Sequence, residues 1–303
     1  MGQQHTLASE VSLSGIGLHT GVTVNLRLLP ARANTGVVFK RTDLDGYVIE
    51  ARSRHVARVS YATSLMKKGV LISTTEHLLS ALAGMGIDNA VVEIDNLELP
   101  IMDGSALPFV KLIRQAGLRP QRARRYYAKI TKPLELADGA KKVAVYPAES
   151  FSVSYSITFP HPVIGAQSLD IAPSAAAYAH EVAPARTFGF LAEVEMLLKN
   201  GLVKGGSLEN VVVLDPEKVV NPEGLRFPDE FCRHKILDLM GDISLFGYPL
   251  VGHIVAERAG HAMHAQLVAE LLRQKNRWTL TTTEPVPLSS PVPVHAEFAT
   301  AGA

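Results

Sequence analysis

Histidines and carboxylates on one helix face are the raw material of hydrolytic metal sites, and this chain carries 11 histidines. Zinc takes imidazole, thiolate and carboxylate, commonly through three protein ligands with a fourth position left to water. Residues four apart share a helix face, so Glu230, His234, Asp238 and Asp242 would form an acidic row with one imidazole in it. The plain alternative is a solvated acidic face. Against it, Ile236, Leu237, Leu239 and Met240 make the segment apolar enough for burial, and buried carboxylates need a cation or donors. Spacing does not choose which carboxylate binds. Cys232 precedes His234 by two residues and points nearly the opposite way, so it reads as a small buried thiol.

Glu76-His77 opens a second candidate helix, where neighbours diverge by about 100°. A metal-bound histidine with a glutamate beside the attacking water fits that geometry. Taken singly, Glu76 reads more readily as a first-turn residue favoured by the helix dipole, and His77 as a satisfied core imidazole. His261, in Ala259-Gly260-His261-Ala262 at a strand-to-helix junction, can serve as electrophile or acid, or as a turn residue. His180-Glu181 begins the His-Glu-x-x-His zinc motif, but Pro184 stands where its second histidine belongs. Gly15, Gly17 and Gly21 miss the dinucleotide fingerprint because Thr20 replaces its last glycine, and neither a Walker lysine loop nor Gly-x-Ser-x-Gly occurs.

These residues need elements to hold them. Val22, Val24, Leu26 and Leu28 alternate with polar residues, the period of a strand with one buried face, and the alternation returns at Ala90–Ile94, Val143–Val145 and Phe151–Ile157. Thr74-Thr75 before Glu76–Gly84 predicts a capped helix, and Leu107–Ala116 closed by Gly117 predicts another. The second half predicts a helix at Ala192–Asn200, a strand at Leu208–Leu214 and a long helix from about Asp229. A strand at Leu250–Glu257, a helix at Ala262–Gln274 and a short final strand complete it. Strands come in runs without regular crossover helices, which predicts an α+β fold of two-layer sheet-on-helix units. Pro120 with Arg122, Arg124 and Arg125 places a boundary between domains 1–122 and 123–283, leaving 284–303 as a Pro-rich tail. A faint echo links His77–Gly84 with His234–Gly241, which share His, an aliphatic residue, Leu and Gly in register. Two similar domains facing each other would bring both histidines to one cleft.

Composition narrows the partners. With 47% hydrophobic and 19% charged residues the chain is globular rather than disordered. A net charge of +1 offers nucleic acid or anionic lipid no general attraction, so an anionic ligand must meet a local basic cluster. The single cysteine makes no intrachain disulfide. Ile243–Ala256, the longest membrane-span candidate, is too short and is broken by Gly247, Pro249, Gly252 and His253. The opening residues lack the basic and apolar regions of a secretory signal, and their loose myristoylation pattern at Gly2 is taken as chance.

From near Ser14 to about Trp278 the chain resembles the UDP-3-O-acyl-N-acetylglucosamine deacetylases, zinc enzymes of lipid A synthesis in Gram-negative bacteria. Seven ordered blocks carry the resemblance: Ser14–Gly21, Thr74–Leu78, Gly86–Asn89, Pro100–Ser105, Ala185–Phe190, Asp229–Asp238 and Gly260–Ala262. It implies two similar α+β domains facing each other across the active site, with a small β-α-β insert at about 188–214 in the second. It implies one zinc on His77, His234 and Asp238, with Glu76 as general base, His261 as the cation that steadies the oxyanion and protonates the leaving amine, Asp242 as its orienting partner, and Thr187 as a hydroxyl on the tetrahedral intermediate. Lys141, Phe159, His161, Lys235, Arg258 and His19 are implied near the UDP group, and Phe190, Val194, Val203, Val211 and Val213 along an acyl passage. For the valines, ordinary core packing is the competing account. The resemblance further implies a cytoplasmic monomer acting on an acylated UDP-sugar. Arg258 stands where lysine is common, His264-Ala265 where Asn-Asn is usual, Glu193 in place of an aspartate, and the Tyr61-Ala62-Thr63 loop differs from commoner versions. A zinc hydrolase of another acylated sugar, or a non-catalytic UDP-sugar or acyl-chain binding protein, are the rival readings.

Overall fold

The computed structural model describes residues 2–285. Most of the expected tail therefore lies outside the described residues. Two sheets, each backed by helices, make up the body of the α+β fold. The first has strands β1 (Val11–Ile16), β2 (Thr23–Pro30), β3 (Val37–Arg41), β4 (Tyr47–Glu50) and β5 (Ala90–Ile94), in the order β1-β2-β5-β3-β4. Its helices are α1 (Glu76–Gly84) and α2 (Leu107–Ala116). Val24, Leu26 and Leu28 of β2 are buried as the alternation requires, whereas Val22 precedes the strand and is exposed.

The second sheet contains β6 (Tyr127–Ile130), β7 (Leu134–Asp138), β8 (Lys141–Tyr146), β9 (Phe151–Thr158), β10 (Ala166–Ile171), β11 (Leu250–Glu257) and β12 (Trp278–Thr281). Strand β5 runs antiparallel to β2 and parallel to β3, and β11 runs antiparallel to β8 and parallel to β9. The order β7-β8-β11-β9-β10 thus reproduces that of the first sheet, with β6 and β12 added at the start of β11. Helix α3 (Leu191–Lys199) lies in the insert, while α4 (Glu230–Ser244) and α5 (His261–Arg273) flank β11 as α1 and α2 flank β5. The weak echo therefore falls on equivalent helices, α1 and α4, which pack on each other.

That packing is close because Gly241 sits at the crossing, where an added Cβ would lie 2.1 Å from the Glu76 carbonyl oxygen. The buried Arg186 guanidinium also secures α4, pairing with Glu230 at 2.9 Å.

Several expectations are corrected. Thr75 does not cap α1 with its side chain. Its hydroxyl donates to the Thr63 carbonyl, and that of Thr74 to Glu98, so both threonines tie the helix start to neighbouring loops. The strand expected over Leu208–Leu214 is only Val212–Leu214, paired in parallel with Phe188–Phe190. The preceding stretch turns instead, because Asn210 and Asn221 side chains take up its backbone groups. Apart from these corrections, residues 118–124, around the expected boundary, form a strand, Leu118–Arg124, paired with Gln3–Leu7.

Candidate metal centre and active site

Three side chains from the two echo helices converge. Asp238 Oδ1 lies 3.3 Å from His234 Nε2 and 3.7 Å from His77 Nε2, and the two imidazoles meet edge to face with centroids 5.0 Å apart. All three residues are buried, and Asp238 Oδ1 has no hydrogen-bond partner among the described residues. The His234 Nδ1–H donates to the Ala185 carbonyl at 3.0 Å, leaving the Nε2 lone pair toward Asp238. Burial and neighbouring charge hold the His77 imidazolium down to about 3, and burial also lowers His234, so both present neutral nitrogens. Burial would raise Asp238, but attraction to His234, Lys235 and His261 holds it well below the usual carboxylate range. Two neutral imidazoles and an ionised carboxylate, aimed at one point with unshared lone pairs, fit a divalent cation.

Around this triad runs a polar chain. Thr63 donates its N–H to Glu76 Oε2 at 3.0 Å and its hydroxyl to Asp242 Oδ1 at 2.6 Å. The His261 Nδ1–H donates to Asp242 Oδ2 at 2.7 Å. Burial raises Glu76 to about 7, with Asp238 and Asp242 adding to the rise against the pull of His261. Burial alone would lower His261, yet Asp242 and Asp238 outweigh it and carry the imidazolium up to about 9. A carboxyl poised near neutrality therefore faces a persistent cation across the triad, the pairing expected of a base and an acid.

A cavity of about 380 Å³ opens on these groups, and Lys141, Lys235, Thr187 and Phe188 share its wall with Glu76, His77, His234, Asp238 and His261. Lys235 donates to Asp238 Oδ2 at 2.8 Å and lies over the Phe188 ring. The other expected contacts stand outside that wall. Phe159 meets Phe188 edge to face and Phe190 at a tilt. His161 is committed on both nitrogens, donating to the Asp215 carbonyl and accepting from Val163 N–H. Arg258 is exposed at positive φ. His19 binds Glu98 through its backbone N–H, while its buried Nδ1 has no partner among the described residues. Val194, Val203, Val211 and Val213 of the insert are half-buried, and α3 buries no residue fully.

Within the acidic row, Glu230 belongs elsewhere. It accepts from the Arg186 backbone and guanidinium and from Arg226 N–H, so it is a structural carboxylate. Three residues at the site escaped the sequence reading. Thr63 was visible only as part of a variant loop. His264, noted as a departure, donates from Nδ1 to Asp242 at 2.9 Å and meets the Tyr155 hydroxyl at 3.1 Å; its place three residues after His261 was the available signal. Glu98, one carboxylate amid Leu97, Leu99 and Pro100, accepts from His19 N–H, Thr20 N–H and the Thr74 hydroxyl.

Residues 4–273 match the family model described as UDP-3-O-acyl N-acetylglycosamine deacetylase. The chain belongs to this family. Among curated relatives, the UDP-3-O-acyl-N-acetylglucosamine deacetylase of Solibacter usitatus (strain Ellin6076) is 54% identical over 277 residues, covering 91% of this chain and 94% of the relative. Those of Myxococcus xanthus (strain DK1622) and Geobacter sp. (strain M21) are 50% and 47% identical, over 89% and 95% of this chain and 86% and 95% of their own lengths. The family is one of metal-dependent deacetylases, so the chain is an enzyme and a hydrolase. No helix among the described residues is long and apolar enough to cross a membrane.

Proposed function

We propose that this chain hydrolyses the N-acetyl group of UDP-3-O-acyl-N-acetylglucosamine with one zinc ion, releasing acetate, and acts as a cytoplasmic monomer in lipid A biosynthesis. The observation that carries the metal assignment is the buried, unpartnered Asp238 Oδ1 facing the Nε2 atoms of His77 and His234. Zinc suits a donor set of two imidazoles and a carboxylate. The chemistry supplied by bound zinc is a water acidified to a pKa of roughly 7 and a polarised acetyl carbonyl.

The protein's own groups do the rest. Glu76, held by Thr63 N–H, takes the proton from the attacking water as its oxygen bonds to the carbonyl carbon. His261, kept charged by Asp242, faces the developing oxyanion and delivers its proton to the departing amine as the C–N bond breaks. Thr187 offers its hydroxyl to the same oxyanion. Lys141 and Lys235 supply positive charge at the cavity wall for the diphosphate, in a chain whose net charge is only +1. The insert, with its half-buried valines, takes the acyl chain.

The test is acetate release from UDP-3-O-acyl-N-acetylglucosamine, expected to stop with a chelator and return with zinc. Zinc content should fall markedly in His234→Ala and in Asp238→Ala. Full occupancy in both folded variants sinks the ligand assignment.

A further inference from the structure

A second cavity, of about 450 Å³, lies behind the active site and shares no wall residue with it. Its floor is formed by the same two helices: Leu79, Leu82 and Ala83 of α1, and Met240 and Ile243 of α4. Tyr127, Phe151 and Tyr248 line its sides, so the half-open hollow is mainly aliphatic and aromatic and falls within the usual volume of small-molecule sites.

One charge in its wall lacks a counterpart among the described residues. Arg125 pairs with Asp88 at 2.8 Å. Arg52, by contrast, has no hydrogen bond or ion pair from its guanidinium to any described residue. Of the two acidic groups that reach it, Tyr248 comes first and offers a phenol in place of a carboxylate, and Glu50 is already engaged by Lys67, Arg54 and His55. Burial works against the Arg52 charge. Its guanidinium lies where glycines make room: a Cβ on Gly247 would fall 1.3 Å from Nη1, and one on Gly36 would fall 3.1 Å from Nη2. Ser150, also in the wall and 6% exposed, has a hydroxyl without a partner among the described residues. A partly buried guanidinium held between two glycines at the edge of an apolar chamber is a fork awaiting a planar anion, with room for an apolar body beyond it.

We infer that this chamber is a second binding site, for a single-chain aliphatic carboxylate whose head pairs with Arg52 and whose chain lies across α1 and α4. The Arg52 charge makes the head anionic, and the Leu, Ile and aromatic wall makes the tail hydrocarbon. Because the same two helices carry the proposed metal ligands, His77 two residues before Leu79 and Asp238 two before Met240, occupancy braces the pair that builds the active site. Binding to the folded state alone must raise thermal stability.

Decanoate is the probe, added to the zinc-loaded full chain with methyl-labelled Ile, Leu and Val. Saturable shifts are expected at Leu79, Leu82 and Ile243, together with a rising melting temperature. Arg52→Gln should weaken binding about tenfold or more, since a charge-assisted pair is worth roughly 1.5–3 kcal/mol. Decanol should bind wild type and Arg52→Gln alike. Ala83→Trp, a substitution at an exposed wall position, should abolish the shifts by filling the chamber. The inference is overturned by shifts confined to Val194, Val203 and Val211, which place the chain in the insert. Binding indifferent to both substitutions overturns it too, as do the same shifts on concentrating the protein without decanoate, which would show a second copy covering this face.

Discussion

Glu76 and His261 face opposite demands from one neighbourhood. Burial and two nearby carboxylates make Glu76 hard to ionise, and those same carboxylates make His261 hard to neutralise. A base must have lost its proton and an acid must keep one, so kcat/KM should rise as pH passes about 7 and fall as it passes about 9. Asp242→Asn removes the charge that favours the imidazolium and keeps the shape, so the alkaline limb should move to lower pH while the acid limb moves much less. A wild-type alkaline limb in His261→Gln would assign that limb to another group, with Lys235 the first to test. Glu76→Ala should retain zinc and lose roughly 10²- to 10⁴-fold in rate, the usual worth of a general base. A folded, zinc-loaded variant only a few-fold slower would point to a different base. His264 shares Asp242 with His261, which explains how a histidine is accommodated where asparagine is usual: its Nδ1–H donates to the same carboxylate oxygen.

At the scale of elements, the site depends on how closely α1 approaches α4. Gly241 permits that approach, and its interest lies in contact rather than in backbone freedom. Gly241→Ala drives a methyl group into the Glu76 carbonyl, which lies 2.1 Å from the added carbon. The helices must separate, at a cost of about 1–3 kcal/mol for overpacking, and the gap between His77 and His234 widens with them. Denaturant midpoint and zinc affinity should therefore fall together. Gly189→Ala, whose new Cβ would meet Val211 at an ordinary 3.9 Å, should change neither. Equal stability in the two variants would mean that the crossing has slack. Thr74, a β-branched residue at φ 58°, supports the same helix start and is held there by the Glu98 carboxylate.

For the whole molecule, two sheets of identical strand order place equivalent helices against each other, so a metal centre can draw one histidine from each half. At the equivalent place in the first half, between β4 and α1, stands a three-stranded sheet (Val56–Arg58, Ser64–Lys67 and Val70–Ile72) instead of the insert's β-α-β unit. The insert's helix α3 leaves Leu191, Met196 and Leu198 exposed, which suits an element that serves a chain-like ligand more than it serves the core. Val211→Met should alter the preferred acyl length more than it alters UDP affinity, as read from kcat/KM across a substrate series and from UDP binding. A fixed chain preference with weakened UDP binding would place the acyl passage elsewhere.

Local order was legible in the residues. The bounds of α1, α2 and β11 follow from apolar period and flanking glycines, and the common face of His234 with Glu230, Asp238 and Asp242 follows from helical spacing, since both quantities depend only on neighbours along the chain. The ordered motif blocks added the family and its expected roles. What spacing left open was the choice among like residues. Glu230, Asp238 and Asp242 stand on one face of one helix, yet the first meets Arg186, the second His77 and the third Thr63 and His261. Those partners come from distant parts of the chain, and a buried carboxylate takes its function from whichever donor the packing brings within about 3 Å. The acidic row was therefore a property of the sequence, and its division into structural carboxylate, metal-site candidate and imidazolium partner was decided by the tertiary structure.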